Sequence, residues 1–389
     1  MVSYLSKKFI KDYKNVKNEN VRRAYGMLCS IVGILLNIFL FAIKYFAGII
    51  SGSIAITADA FNNLSDAGSS VITLIGFKFA GMKPDLEHPF GHGRVEYISG
   101  FAVSVMIILM GAELLKSSID KIFHPESIDT TVVSFIILIV SILVKLYMSL
   151  YNSKIGDKIE SAGMKATATD SKSDCIATSV VLISMLIAKF TGVNIDAYAG
   201  LLVAGFILYA GYDAAKETLS PLLGQIPEKS LVDSIEKIVM SYDEIVGIHD
   251  LVVHDYGPGR LMISLHAEVP GNGDIFVLHD AIDRAEIELN EKLNCEAVIH
   301  LDPIDTDNEE VMEMKSKITE LIKKEIDEII TIHDFRMVKG NTHTNVIFDA
   351  VIPPKYKMTD KEVETKIKDL VKNNFENYFA VVKVEITYV

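Results

Sequence analysis

Apolar residues dominate six stretches of the chain, at about 24–50, 53–81, 97–115, 131–151, 163–190 and 198–213. Each reads as a helix crossing a hydrocarbon layer roughly 30 Å thick. The first is too long for a signal peptide and is poorly followed by the small residues of a cleavage site. Two runs carry a polar stripe. The second contains Asp59, Asn62, Asn63, Ser65, Asp66, Ser69 and Ser70, and the fifth Thr167, Thr169, Asp170, Ser171, Lys172, Ser173 and Asp174. Helices this polar persist in lipid only when other helices shield them, so spans two and five are expected inside, facing each other. Basic residues set the orientation. Lys7, Lys8, Lys11, Lys14, Lys17, Arg22 and Arg23 precede the first span, while Lys78, Lys83, Arg94, Lys154, Lys158 and Lys165 flank the second and fourth loops. Both termini are therefore expected in the cytoplasm.

Beyond Pro221 and Pro227 the pattern shortens. Helical periodicity over 230–240 is followed by strand-like runs at 247–254 and 261–269 around Gly257-Pro258-Gly259, a helix at 277–292 and a strand at 297–301. The order then recurs, with a helix at 311–327, "ITIHDFRMV" echoing "VGIHDLVVH", "NVIFDAVIP" echoing "MISLHAEVP", a helix at 361–374 and a strand at 380–388. The chain thus reads as a membrane part, 1–226, followed by two tandem copies of a small α+β domain, 227–305 and 308–389.

Charge separates the same parts. Residues 1–226 hold 20 basic against 18 acidic side chains, a net of +2, and residues 227–389 hold 18 against 33, a net of −15. An acidic tail repels phosphate, so nucleic acid is not an expected partner. Cys29, Cys175 and Cys295 are scattered, which supports neither a disulfide framework nor a thiolate metal site. No nucleophile–base set, phosphate loop or nucleotide motif suggests an enzyme.

The candidate chemistry lies in the polar stripes. Asn62 with Asp66, and Asp170 with Asp174, are each spaced four apart, so each pair shares one helix face. A carboxylate at this depth costs at least ~2.5–3.5 kcal/mol and usually marks an ion path. A lone Asn is as readily a packing hydrogen bond, but matched NxxxD and DxxxD pairs on two helices point to a cation site.

The motifs "DAFNNLSD", "HPFGHGR", "ATDSKSD", "GIHD", "SLHAEV", "VLHDAID" and "VIHLDP" resemble those of the cation diffusion facilitator family of metal–proton antiporters, in register over about 20–305. The resemblance implies a homodimer in the plasma membrane, each protomer with six transmembrane helices and a cytoplasmic ferredoxin-like domain. The repeat at 308–389 lies outside that plan and is expected to be regulatory or to add a dimerisation surface. Position by position, the resemblance assigns the transport site to Asn62, Asp66, Asp170 and Asp174. It assigns a weaker loop site to Asp85, His88 and His92, where the alternative is a turn set by Gly91 and Gly93 with merely polar histidines. A cytoplasmic binuclear site falls on His249, His266, His279, His300 and Asp302. The second repeat keeps His333 and Asp334 but has Asp349 in place of His266 and no histidine in its last strand, so a full second site is not expected. Relatives pair the basic residue at Arg94 with an acid at the end of span six, where this chain has Gly224. Asp213 or Glu217 could replace it.

Zinc-transporting relatives typically have His at the position of Asp170. An all-oxygen tetrad suits a harder ion, which favours Mn2+ over Zn2+, Fe2+ or Co2+. Clustered carboxylates bind protons or a divalent cation in competition, so proton influx would drive metal export. A passive metal conduit and a membrane-anchored metal sensor remain alternatives.

Overall fold

The computed structural model describes residues 1–16, 18–51, 54–124, 131–191, 195–305 and 307–386. Two of the expected element ends, Ser53 and Tyr388, fall outside them. The chain forms two compact units, Met1–Gln225 with the turn Asp255–Arg260, and Ile226–His254 with Leu261–Val389.

The first unit is helical. A short α1 (Val2–Phe9) precedes α2 (Glu19–Ser51), α3 (Ile54–Ala80), α4 (Val95–Phe123), α5 (Val132–Lys158), α6 (Ala162–Thr191) and α7 (Asp196–Leu223). Local chemistry fixes several starts. The Asn18 side chain accepts from the backbone N–H of Asn20 and Val21, Thr131 from Ser134, and Ser161 from Met164, each satisfying donors a helix N-terminus leaves open. Among the described residues, five helices are long and apolar enough to cross a membrane: those at Glu19–Ile49, Val95–Phe123, Val132–Lys158, Ala162–Thr191 and Ala197–Leu223. Helix α3 is as long, but its run of Asp, Asn and Ser residues keeps it out of that set.

Three pairings organise the bundle: α2 with α3, α4 with α7 and α5 with α6. Helix α6 also touches α3, α4 and α7, which gives its polar stripe protein neighbours. Where α3 meets α6, Thr73 and Thr167 share a 3.0 Å hydrogen bond between hydroxyls. Glu96 at the start of α4 is fully buried and ties three elements together. Its carboxylate accepts from Arg22 of α2 at 2.5 and 2.7 Å and from the Ser161 hydroxyl at 2.5 Å. The Arg22 Nε donates onward to the Ile159 carbonyl at 2.7 Å.

The second unit contains α8 (Lys229–Val239), β1 (Gly247–Asp255), β2 (Leu261–Pro270), α9 (Ile275–Leu293) and β3 (Cys295–Ile304), then α10 (Glu309–Glu325), β4 (Thr331–Lys339), β5 (Thr344–Ile352), α11 (Asp360–Asn374) and β6 (Tyr378–Ile386). Each set makes a three-stranded sheet, ordered β1-β2-β3 and β4-β5-β6, with its own apolar core. The last two strands of each sheet run parallel, joined by a crossover helix that packs back on the sheet. Helices α9 and α11 begin at Asp274 and Thr359, the latter in a capping box with Glu362. The repeats match in fine detail, because Asp250 and Asp334 occupy equivalent positions and both take left-handed backbone, φ 53° and 49°.

Replacing Glu96 with Ala should strand the half-buried Arg22 guanidinium and cost about 3–5 kcal/mol. Thermal unfolding of the purified protein in detergent checks this, and a midpoint equal to the wild type's would show that the tie does not hold the bundle.

Candidate metal sites

The first candidate site forms where the polar stripes of α3 and α6 meet. Asp66, Asp170 and Asp174 each present a carboxylate oxygen within 4.8 Å of the others. Asp170 is buried, and the side chains of Asp66 and Asp174 are only 14% and 12% exposed. The four-residue spacing on α6 puts Asp170 and Asp174 on one face, with Thr167 one turn earlier against Thr73. Asn62 is exposed on α3. Its neighbour Asn63 is buried, donates to the Asp59 carbonyl at 3.3 Å and leaves its amide oxygen without a hydrogen-bond partner among the described residues.

A residue that the sequence reading passed over completes the cluster. Lys145 of α5 is 3% exposed, and its Nζ donates to Asp66 Oδ2 at 2.7 Å and to Asp174 Oδ2 at 2.6 Å. The signal was available, since a lysine in the middle of an apolar span is as costly as an aspartate. A similar pair lies one element away, with the buried Lys44 of α2 2.8 Å from Asp59 of α3. Oxygen donors in a shielded cluster suit a hard divalent cation, and the three carboxylates with one ammonium carry a formal charge of −2.

The second site is in the loop between α3 and α4. Asp85 lies 3.5 Å from His88 Nδ1 and from His92 Nε2, and the two imidazoles are 4.5 Å apart. Backbone N–H groups of His88 and Glu87 donate to the Asp85 carboxylate and hold it below the usual carboxylate range. The buried Nδ1 of His92 has no hydrogen-bond partner among the described residues. Arg94, two residues on, is accounted for without an acid from α7. Its Nε donates to the Asp255 carbonyl at 2.9 Å and its guanidinium lies 4.4 Å from the centre of the Tyr256 ring. Glu217 pairs instead with Lys165, at 3.4 Å.

The third site lies on the first sheet of the second unit. The parallel register sets His266 of β2 opposite His300 of β3, and Glu268 opposite Asp302. Asp302 Oδ2 is 2.8 Å from His266 Nδ1 and 3.2 Å from His249 Nε2, while its Oδ1 is 3.2 Å from His300 Nε2. One carboxylate thus bridges three imidazoles. The His249 Nε2 is buried and has no hydrogen-bond partner among the described residues, which leaves its lone pair open to a metal. His279 is not brought here: on the exposed side of α9 it pairs with Asp283 at 3.3 Å.

The second sheet repeats the geometry with altered chemistry. Its register sets Asp349 opposite Lys383 and Val351 opposite Glu385, so these positions answer to His266, His300, Glu268 and Asp302. Lys383 forms an ion pair with Glu385, which holds its ammonium above the usual lysine range. An ammonium thus stands at the position where the first sheet has the imidazole of His300. The repeats also touch, with the His249 and His333 rings stacked at 5.7 Å and the Asp334 N–H donating to Glu268 at 3.2 Å.

Residues 30–223 match the family model described as the cation efflux transmembrane domain, and 227–304 match that of the cation efflux protein cytoplasmic domain. The second sheet lies beyond both. An uncharacterized transporter of Methanocaldococcus jannaschii is 34% identical over 280 residues, covering 72% of this chain and 98% of its own. The metal tolerance protein C1 of Arabidopsis thaliana is 24% identical over 85% of this chain and 77% of its own, and the cation-efflux pump FieF of Salmonella typhi 26% identical over 73% and 95%. With a membrane bundle, carboxylates gathered between two of its helices and a histidine-lined sheet beyond it, the chain belongs to the cation efflux family.

Proposed function

We propose that the protein exports a divalent cation, Mn2+ in preference to Zn2+, Fe2+ or Co2+, from the cytoplasm in exchange for protons. One observation carries the reading: Asp66, Asp170 and Asp174 converge from two helices that sequence alone marks as shielded. Six helices would span the plasma membrane, α3 among them, with both termini cytoplasmic and two copies of the chain forming a homodimer. A divalent cation neutralises the formal −2 of the site, and so do two protons. The two loads are therefore alternatives, and rocking of the bundle between inward and outward openings would exchange one for the other. Oxygen donors favour Mn2+ over ions that prefer nitrogen or sulfur. Asn62 would join the coordination shell only if α3 turned its exposed face inward during the cycle.

The site around Asp302 serves in this reading as a regulator. Ligands from β1, β2 and β3 are separate in sequence, so a metal bound by them favours the compact arrangement of that sheet. The second repeat, with Lys383 in place of a ligand, would be a copy held closed without metal and would add a contact surface to the dimer. The loop residues Asp85, His88 and His92 would bind a further ion near the cytoplasmic mouth.

Reconstituted in proteoliposomes with an imposed pH gradient, the protein should accumulate Mn2+ against its gradient, whereas flux indifferent to pH would mean a passive conduit. Asp66→Ala and Asp174→Ala should each abolish this uptake while leaving the protein folded, because each removes an oxygen from the intramembrane site. Flux at the wild-type rate in either variant rules the site out.

Asp170→His should move the competition between Mn2+ and Zn2+ toward Zn2+, by tenfold or more, since an imidazole nitrogen replaces a hard oxygen. A wild type that already prefers Zn2+ in the same assay defeats the manganese reading.

His266→Ala combined with His300→Ala should raise the metal concentration needed for half-maximal transport while sparing the maximal rate. Equal activation curves for variant and wild type would leave the first sheet a purely structural element.

A further inference from the structure

We infer that Lys145 is a tethered counter-ion that shares the carboxylates of the intramembrane site with the transported cation, leaving them when the cation enters and returning to expel it. The inference rests on the reading of Asp66, Asp170 and Asp174 as that site. An ammonium has three donors and no acceptor, and two of those donors point at Asp66 Oδ2 and Asp174 Oδ2. A divalent cation coordinated by the same oxygens at about 2.0–2.2 Å would sit within a few ångströms of Nζ, where like charges repel strongly in a poorly polarisable interior. The two cations cannot hold the same two oxygens.

The structure also provides a place for it to go. Ser141 lies one turn before Lys145 on α5, and helical side chains lean toward the preceding turn, so the lysine stem can swing over it. The Ser141 side chain is buried, and its hydroxyl oxygen lacks a hydrogen-bond partner among the described residues. An unpaired buried acceptor costs ~1–3 kcal/mol, which an ammonium resting on it would relieve. The site thus has a cation-free arrangement with Lys145 on the carboxylates, and a loaded one with Lys145 on Ser141. Without the lysine, the loaded arrangement has no internal competitor and release becomes the slow step.

The direction of the affinity change separates a competitor from a structural prop. In the full-length protein, with His266→Ala and His300→Ala silencing the sheet site, Mn2+ binding is measured by calorimetry and Mn2+ turnover in proteoliposomes. Lys145→Met should bind Mn2+ at least tenfold more tightly and turn over at least tenfold more slowly, whereas unchanged or weaker binding overturns the inference. Ser141→Ala keeps the lysine and should weaken binding about threefold or more, because the loaded state loses its resting place; no change there also overturns it. In the double variant the Ser141 effect should vanish, and simple additivity would mean that the two residues act independently. Asp174→Asn is the control for the underlying reading, for if it keeps wild-type binding and flux, the site itself is misplaced and Lys145 with it.

Discussion

Three carboxylates held within a few ångströms in a shielded interior repel one another, and nothing in the bundle makes sense without the charge that answers them. In water the repulsion is weak; in a poorly polarisable interior it is many times larger, so a counter-charge has to be present at every stage. Lys145 provides one unit of it from a third helix, α5, through Asp66 and Asp174. The requirement reaches outward from there. Helix α6 must be packed against α3, α4, α5 and α7 so that its stripe of Thr, Asp and Ser never meets lipid. Helix α3 repeats the arrangement at Asp59, which is met by Lys44 of α2.

The same principle recurs on the sheets of the second unit. In the first, the Asp302 carboxylate lies among three imidazoles, each with ring nitrogens of the kind that hold metals. In the second, Glu385 and Asp349 take the equivalent positions of Asp302 and His266, and Lys383 provides a permanent ammonium. The second repeat keeps the fold, the left-handed Asp334 and the stacked His333 while carrying an ammonium where the first carries an imidazole.

Much of this was legible in the sequence, because long apolar runs and period-two strands are local signals. The soluble elements lie within a few residues of where periodicity puts them, and the recurrence of "GIHD" as "TIHD" anticipated two sheets of one design. The pairing of Asp66 with Asp170 and Asp174 was legible for a different reason: polar residues in apolar runs are expensive, so their spacing carries meaning. What stayed hidden depends on side-chain phase and reach across space. Asn62 shares a helical face with Asp66 on paper, yet at its own depth that face of α3 is exposed and Asn63 is the buried one. His279 matches a family position but sits on the solvent side of α9, tied to Asp283.

The cost of burying charge that marks the three acids marks Lys145 with equal force, although a base does not announce metal binding. A buried lysine is tolerable only if something anionic awaits it, so its presence in an apolar span implies carboxylates nearby as surely as the carboxylates imply a cation. Read together, the two signals define more than a site. Acids alone describe a place where a cation rests, and a place of rest does not by itself transport. Acids with a tethered base would describe an exchange, in which one positive charge or another fills the site at each stage and the energy of removing the first offsets that of binding the second. On that argument Lys145 would keep the affinity for the cation finite, and a site meant to release its load has to be built with its own competitor inside it.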